Sequence, residues 1–135
     1  GLKLLLVDEM PAVVERLSEC FKEFGFDVVG CTSQVEAIAS LTSFSPQLVI
    51  LDLSLNRCLP VAVLKAALHH VPTAIILGTT TGQYAEADAA DRHAVARELG
   101  VQSILRKPLD LAPLAQLVLE SALRLTVPEQ ESSAS

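Results

Sequence analysis

Five short apolar runs divide the chain: Leu2–Val7, Phe26–Cys31, Leu48–Leu51, Thr73–Leu77 and Val101–Leu105. Each is followed by a stretch with helical spacing of its apolar residues. Runs that are apolar throughout, rather than at alternate positions, suit strands buried on both faces, as in parallel sheets covered by helices on both sides. Hydrophobic residues make up 50% of the 135-residue chain but aromatics only 4%, so Val, Leu, Ile and Ala must fill the core. The expected architecture is α/β, a doubly wound five-stranded parallel sheet with right-handed crossovers.

The intervening stretches carry helix signals. Pro11 opens a pattern of Val13, Val14, Leu17, Cys20, Phe21 and Phe24 that Gly25 closes. Thr32 or Ser33 can cap a helix through about Leu41, with Glu36 in its first turn. Ser43–Pro46 reads as a loop. Pro60 starts a third helix bearing Val63, Leu64, Ala67 and Leu68 on one face, and His69 and His70 suit the dipole at its end. Gly78–Gly82 has loop chemistry. An Ala-rich helix is expected from roughly Tyr84 to Leu99, closed by Gly100, with Asp88, Asp91, Arg92 and Arg97 on a solvated face. Asp110 can cap a last helix carrying Leu111, Leu114, Leu117, Val118 and Leu125. Residues 1–125 thus form one domain. Residues 126–135 are expected to be a disordered tail or a linker cut from a longer chain.

Bulk properties exclude several functions. The formal net charge is −6 and the basic residues are scattered singly, which argues against direct nucleic-acid binding. Cys20, Cys31 and Cys58 are odd in number and lack metal-site spacing, so partly buried, reduced thiols are expected. No apolar run approaches the ~20 residues of a membrane span, and the first strand is too short for a signal-peptide core. A cytoplasmic protein is the resulting expectation.

In open α/β sheets, ligands bind outside the carboxyl ends of the strands. Asp8-Glu9 follows the first strand, Asp52 the third, Gly78 and three threonines the fourth, and Arg106-Lys107-Pro108 the fifth. Clustered carboxylates repel one another, and a divalent cation relieves that repulsion. Mg²⁺ prefers hard oxygen ligands, one or two carboxylates together with phosphate and water. A carboxylate beside it can attack phosphorus and form an acyl phosphate, while metal and ammonium neutralise the transferring oxygens.

The runs LLLVDEMP, LVILDL and LRKPLD resemble the acidic-pair, phosphoacceptor and Lys-Pro motifs of response-regulator receiver domains, in the same order and at fitting spacing. The resemblance covers about residues 2 to 125. It implies a flavodoxin-like (βα)5 fold with strand order 2-1-3-4-5. By position it implies Asp52 as phosphoacceptor, with Asp8, Glu9, Asp52 and the Ser54 backbone carbonyl as Mg²⁺ ligands. Lys107 would contact the phosphoryl group, and the bond before Pro108 would be cis. A sensor histidine kinase or phosphotransfer protein is the implied partner. A homodimer could form through the face of the fourth helix, fifth strand and fifth helix.

The chain departs from the family at several places. Glu9 stands where Asp is frequent, and SLNRCLPV after Asp52 lacks the usual Pro and Gly turn residues. Direct alignment puts Gly78 at the Ser/Thr switch position, with Thr79 one residue later; Thr79 is favoured as the switch hydroxyl. Ile104 replaces the switch aromatic, and the segment from Thr79 to Gly100 is longer than usual. Two other functions compete. One is a receiver-like interaction module that signals without phosphorylation. The other is an aspartyl-phosphate phosphohydrolase of the haloacid-dehalogenase kind. That enzyme needs a second Asp two residues after its nucleophile, where this chain has Ser54, and it needs a capping domain that the chain does not carry.

Overall fold

A computed structural model describes residues 1–81 and 86–126. The expectations for Tyr84 and for residues 127–135 lie outside them. β1 (Lys3–Val7), β2 (Asp27–Cys31), β3 (Leu48–Asp52), β4 (Ile75–Thr80) and β5 (Val101–Arg106) form one parallel sheet in the order β2-β1-β3-β4-β5. Between and after them run α1 (Pro11–Glu23), α2 (Gln34–Ser43), α3 (Val61–His70), α4 (Glu86–Glu98) and α5 (Leu111–Thr126). This is the doubly wound (βα)5 fold expected from the alternating pattern.

Two apolar layers sandwich the sheet. Leu5, Val7, Val49, Leu51, Ile76 and Val101 project from one face onto Ala37 and Leu41 of α2, Val63, Leu64 and Ala67 of α3 and Ala96 of α4. From the other face Leu4, Leu6, Leu48, Ile50, Ile75 and Leu77 meet Leu17 and Phe21 of α1 and Leu114 and Val118 of α5. β1 and β3 are therefore buried on both faces, and this is why neither run alternates. Phe21 packs edge-on to Phe26 with ring centroids 6.0 Å apart.

The local signals act as their chemistry dictates. Pro11 sits in the first turn of α1, and Gly25 follows its C-cap at φ +93°, a left-handed conformation that favours glycine. Ser33 caps α2: its Oγ accepts the Glu36 N–H at 3.2 Å and donates to Glu36 Oε1 at 3.1 Å.

Two expectations need correction. Gly78, Thr79 and Thr80 belong to β4 and not to a loop. They are paired on one side by β3 (Leu51↔Gly78, Asp52↔Thr79) and on the other by β5 (Gly78↔Ile104, Thr79↔Leu105, Thr80↔Arg106). Pairing on both edges overrides the loop signal of Gly, and β-branched Thr suits a strand. The tract after Asp52 also holds a 3-10 turn, Leu55–Arg57, that no sequence signal announced. Finally, Cys20 is half-buried and Cys31 buried, as expected of the thiols, but Cys58 at the end of that turn is exposed.

Candidate functional site

The carboxyl ends of β1, β3, β4 and β5 meet at one edge of the sheet, and their following residues form an acidic pocket. Asp52, the last residue of β3, is 1% exposed. Its Oδ1 accepts the Ser54 N–H at 2.8 Å. Its Oδ2 is buried without a hydrogen bond; Lys107 Nζ stands 3.5 Å away, close enough to attract it electrostatically. Burial pushes the Asp52 carboxyl above the usual carboxylate range, and the Asp8 charge adds to this. The Ser54 N–H and the Lys107 ammonium oppose it without cancelling it.

Asp8 is also buried. Its Oδ1 accepts the Met10 N–H at 2.9 Å and its Oδ2 accepts from Lys107 Nζ at 2.5 Å. One ammonium thus serves two carboxylates. The Lys107–Pro108 bond is cis, and Lys107 is placed by its own N–H, which donates to the Thr80 carbonyl at 2.7 Å. The Leu53 N–H donates to the Thr79 carbonyl at 2.8 Å, and Thr81 places its N–H and hydroxyl 3.5 Å from Ser54 Oγ. These bonds fix the strand ends against one another.

Sequence reasoning placed Asp8, Glu9, Asp52, Ser54, Thr79 and Lys107 here. Asp8, Asp52 and Lys107 meet directly. Thr79, level with Asp52 in the sheet, is buried beside it. Glu9 is exposed, and its carboxylate accepts the Asn56 N–H at 3.2 Å. The Ser54 carbonyl accepts the Arg57 N–H at 2.8 Å. Among the described residues no three acidic, imidazole or thiol groups gather tightly enough to hold a metal ion. The donor set nonetheless suits Mg²⁺: every candidate ligand is a hard oxygen, and Asp52 Oδ2 is buried and short of partners.

Two residues escaped the sequence reading. Leu53 is buried and fills the space beside Gly78. Arg92, expected on a solvated face, is partly buried and reaches the Arg57 carbonyl at 3.5 Å. Only tertiary contact distinguishes them from ordinary core and surface residues.

The response regulator receiver domain family matches residues 4–119. The chain belongs to that family. Solved receiver domains share its fold. A CheY-like receiver from Methanospirillum hungatei JF-1 has 18% identity and a TM-score of 0.78, covering 88% of this chain and 91% of that one. A receiver domain protein from Clostridium thermocellum has 19% identity and a TM-score of 0.78 over 92% of this chain and 96% of the other. A response regulator from Burkholderia pseudomallei, solved with a phosphorylated aspartic acid, a calcium ion and citrate, has 20% identity and a TM-score of 0.71 over 94% and 76%. No curated protein sequence matches the chain. Among the described residues no helix is long and apolar enough to cross a membrane.

Proposed function

We propose that this receiver domain takes a phosphoryl group onto Asp52 from a phosphohistidine of a sensor kinase or phosphotransfer protein, with the residues after α5 as tail or linker. The observation that carries the reading is Asp52 Oδ2, buried, without a hydrogen bond and 3.5 Å from the Lys107 ammonium. An oxygen so placed is free to attack, and a cation already faces the charge that would arrive. In the transfer, the P–N bond of the donor breaks as a P–O bond to Asp52 forms. Lys107 neutralises charge on the transferring oxygens, and the hydroxyl of Thr79, in register with Asp52 on the neighbouring strand, would hydrogen-bond one of them.

Asp8, Glu9, Asp52 and the Ser54 carbonyl are the residues that would hold Mg²⁺, which supplies charge neutralisation in the pocket. A cation held there would favour the ionised form of Asp52, the form that attacks phosphorus. The domain turns over no small-molecule substrate; its output is a changed surface offered to a partner in the cytoplasm. A homodimer through α4, β5 and α5 is one form of that output.

Labelling by a small phosphodonor in Mg²⁺ tests this. The wild type is expected to gain one acid-labile phosphoryl group, and Asp52→Asn none, because the amide is a poor nucleophile. Retained stoichiometric labelling of the variant would move the acceptor elsewhere. Failure of the wild type to label, with partner binding intact, would favour phosphorylation-independent signalling.

A further inference from the structure

The tract after Asp52 holds two consecutive non-glycine residues in the left-handed region, Asn56 at φ 55° and Arg57 at φ 63°. Asn tolerates this conformation, but Arg gains nothing from it, and strain of this kind persists only where surrounding contacts impose it. Two contacts do. The Asn56 N–H is held by the Glu9 carboxylate at 3.2 Å, and the Arg57 N–H by the Ser54 carbonyl at 2.8 Å. Those acceptors are two of the oxygens that the proposed Mg²⁺ site requires. Beyond the turn, the Arg57 carbonyl accepts from Arg92 of α4 at 3.5 Å.

We propose that the Asn56–Arg57 turn is a latch that competes with a divalent cation for the Glu9 carboxylate and the Ser54 carbonyl. Its release on cation binding shifts the Arg57 carbonyl against Arg92 and so reports pocket occupancy to α4. The inference rests on the Mg²⁺ site proposed above. Drawing Glu9 and Ser54 toward a cation weakens both contacts that hold the left-handed pair, and the strained turn then relaxes. Arg57 and Asn56 are exposed, so the turn can move without disturbing the core.

A Mg²⁺ titration of the full chain, followed by amide and arginine side-chain NMR, tests the latch. In the wild type the Asn56 and Arg57 amides and the Arg92 guanidinium should shift along the same binding curve as the Leu53 amide. Arg57→Pro removes the N–H and forbids a positive φ. It should bind Mg²⁺ more tightly and show Arg92 near its cation-bound position before any cation is added. Glu9→Gln keeps an acceptor for Asn56 but loses the ligand charge, so its Asn56 amide should stay unshifted, while the Arg57 amide, held by the Ser54 carbonyl, and the Leu53 amide still respond at higher Mg²⁺. If Leu53 titrates in the wild type while Asn56 and Arg57 do not, or if Arg57→Pro binds no more tightly, the latch is wrong and the metal site stands. If Leu53 and Ser54 never respond, the metal site falls and the latch with it.

Discussion

Leu53 fills the space that a side chain on Gly78 would need. A Cβ on Gly78 would lie 2.5 Å from Leu53 Cδ1 and 2.9 Å from its Cγ, with Val101 Cγ1 at 3.2 Å. No positive φ demands glycine here; the demand comes from Leu53, the residue that follows Asp52. Because Leu53 is 4% exposed, it has little room to retreat. Gly78→Ala is expected to destabilise the fold by about 1–3 kcal/mol through overpacking. Adding Leu53→Ala should restore part of that loss, giving a coupling that denaturant melts of the four-member cycle would measure. Additive losses would mean that the two residues do not compete for one space.

Asp52 should cost the free protein stability at neutral pH. Burial holds its carboxyl above the usual range, so the folded state retains the proton longer than the unfolded chain does. The wild type then loses stability as pH rises from the ordinary carboxylate pKa through the raised folded value, and the loss is complete above it. Asp52→Asn is expected to be more stable at pH 7, without divalent cations, by about 1 kcal/mol, the scale of a buried acceptor left unpaired. The gain should vanish once pH falls below the ordinary carboxylate range. Melting curves across pH would show it, and a variant less stable than wild type at pH 7 would contradict the assigned electrostatics.

Lys107 balances two buried carboxylates, so its loss should be felt twice. Lys107→Ala leaves Asp8 and Asp52 facing each other without a counter-charge and should destabilise by about 1–3 kcal/mol, less than a fully buried pair because the ammonium is 16% exposed. Mg²⁺ can stand in for the missing charge. The expected signature is a larger rise in melting temperature on adding Mg²⁺ to the variant than to the wild type. An equal rise would show that the ammonium and the cation do not serve the same charges.

The sequence announced the fold through local signals that agree with it. Buried runs without alternation, Pro11, Ser33 and Gly25 each perform the role their chemistry suggests. The acidic pocket was legible for the same reason, since strand ends converge in a parallel sheet wherever their polar residues lie. What stayed hidden depends on contact at a distance. Gly78-Thr79-Thr80 reads as loop until β3 and β5 pair with it. Leu53 looks like any core leucine until Gly78 is seen beneath it. Asn56-Arg57 gives no hint of a left-handed pair, because the acceptors that impose it lie in Glu9 and Ser54.

A final expectation concerns β5. Gly78 lies in register with Ile104, so the position that directly aligns with the family's switch hydroxyl carries no side chain. Thr79, one residue on, is level with Asp52, and successive residues of a strand point to opposite faces. A hydroxyl at Thr79 that moves toward a phosphoryl group therefore vacates no space on the Ile104 face. That face is already filled by Leu53 and Val101, and Ile104 packs against the same apolar cluster. A β-branched side chain also has few rotamers to exchange. Since a ligand shifts an equilibrium only by its differential affinity for the two states, a phosphoryl mimic has little hold on Ile104. Beryllofluoride with Mg²⁺ should shift the amides of Leu53, Thr79 and Thr80 while the Ile104 methyls keep one rotamer, as methyl NMR or paired structures would read. A clear reorientation of Ile104 on binding the mimic would place the signal on β5 after all.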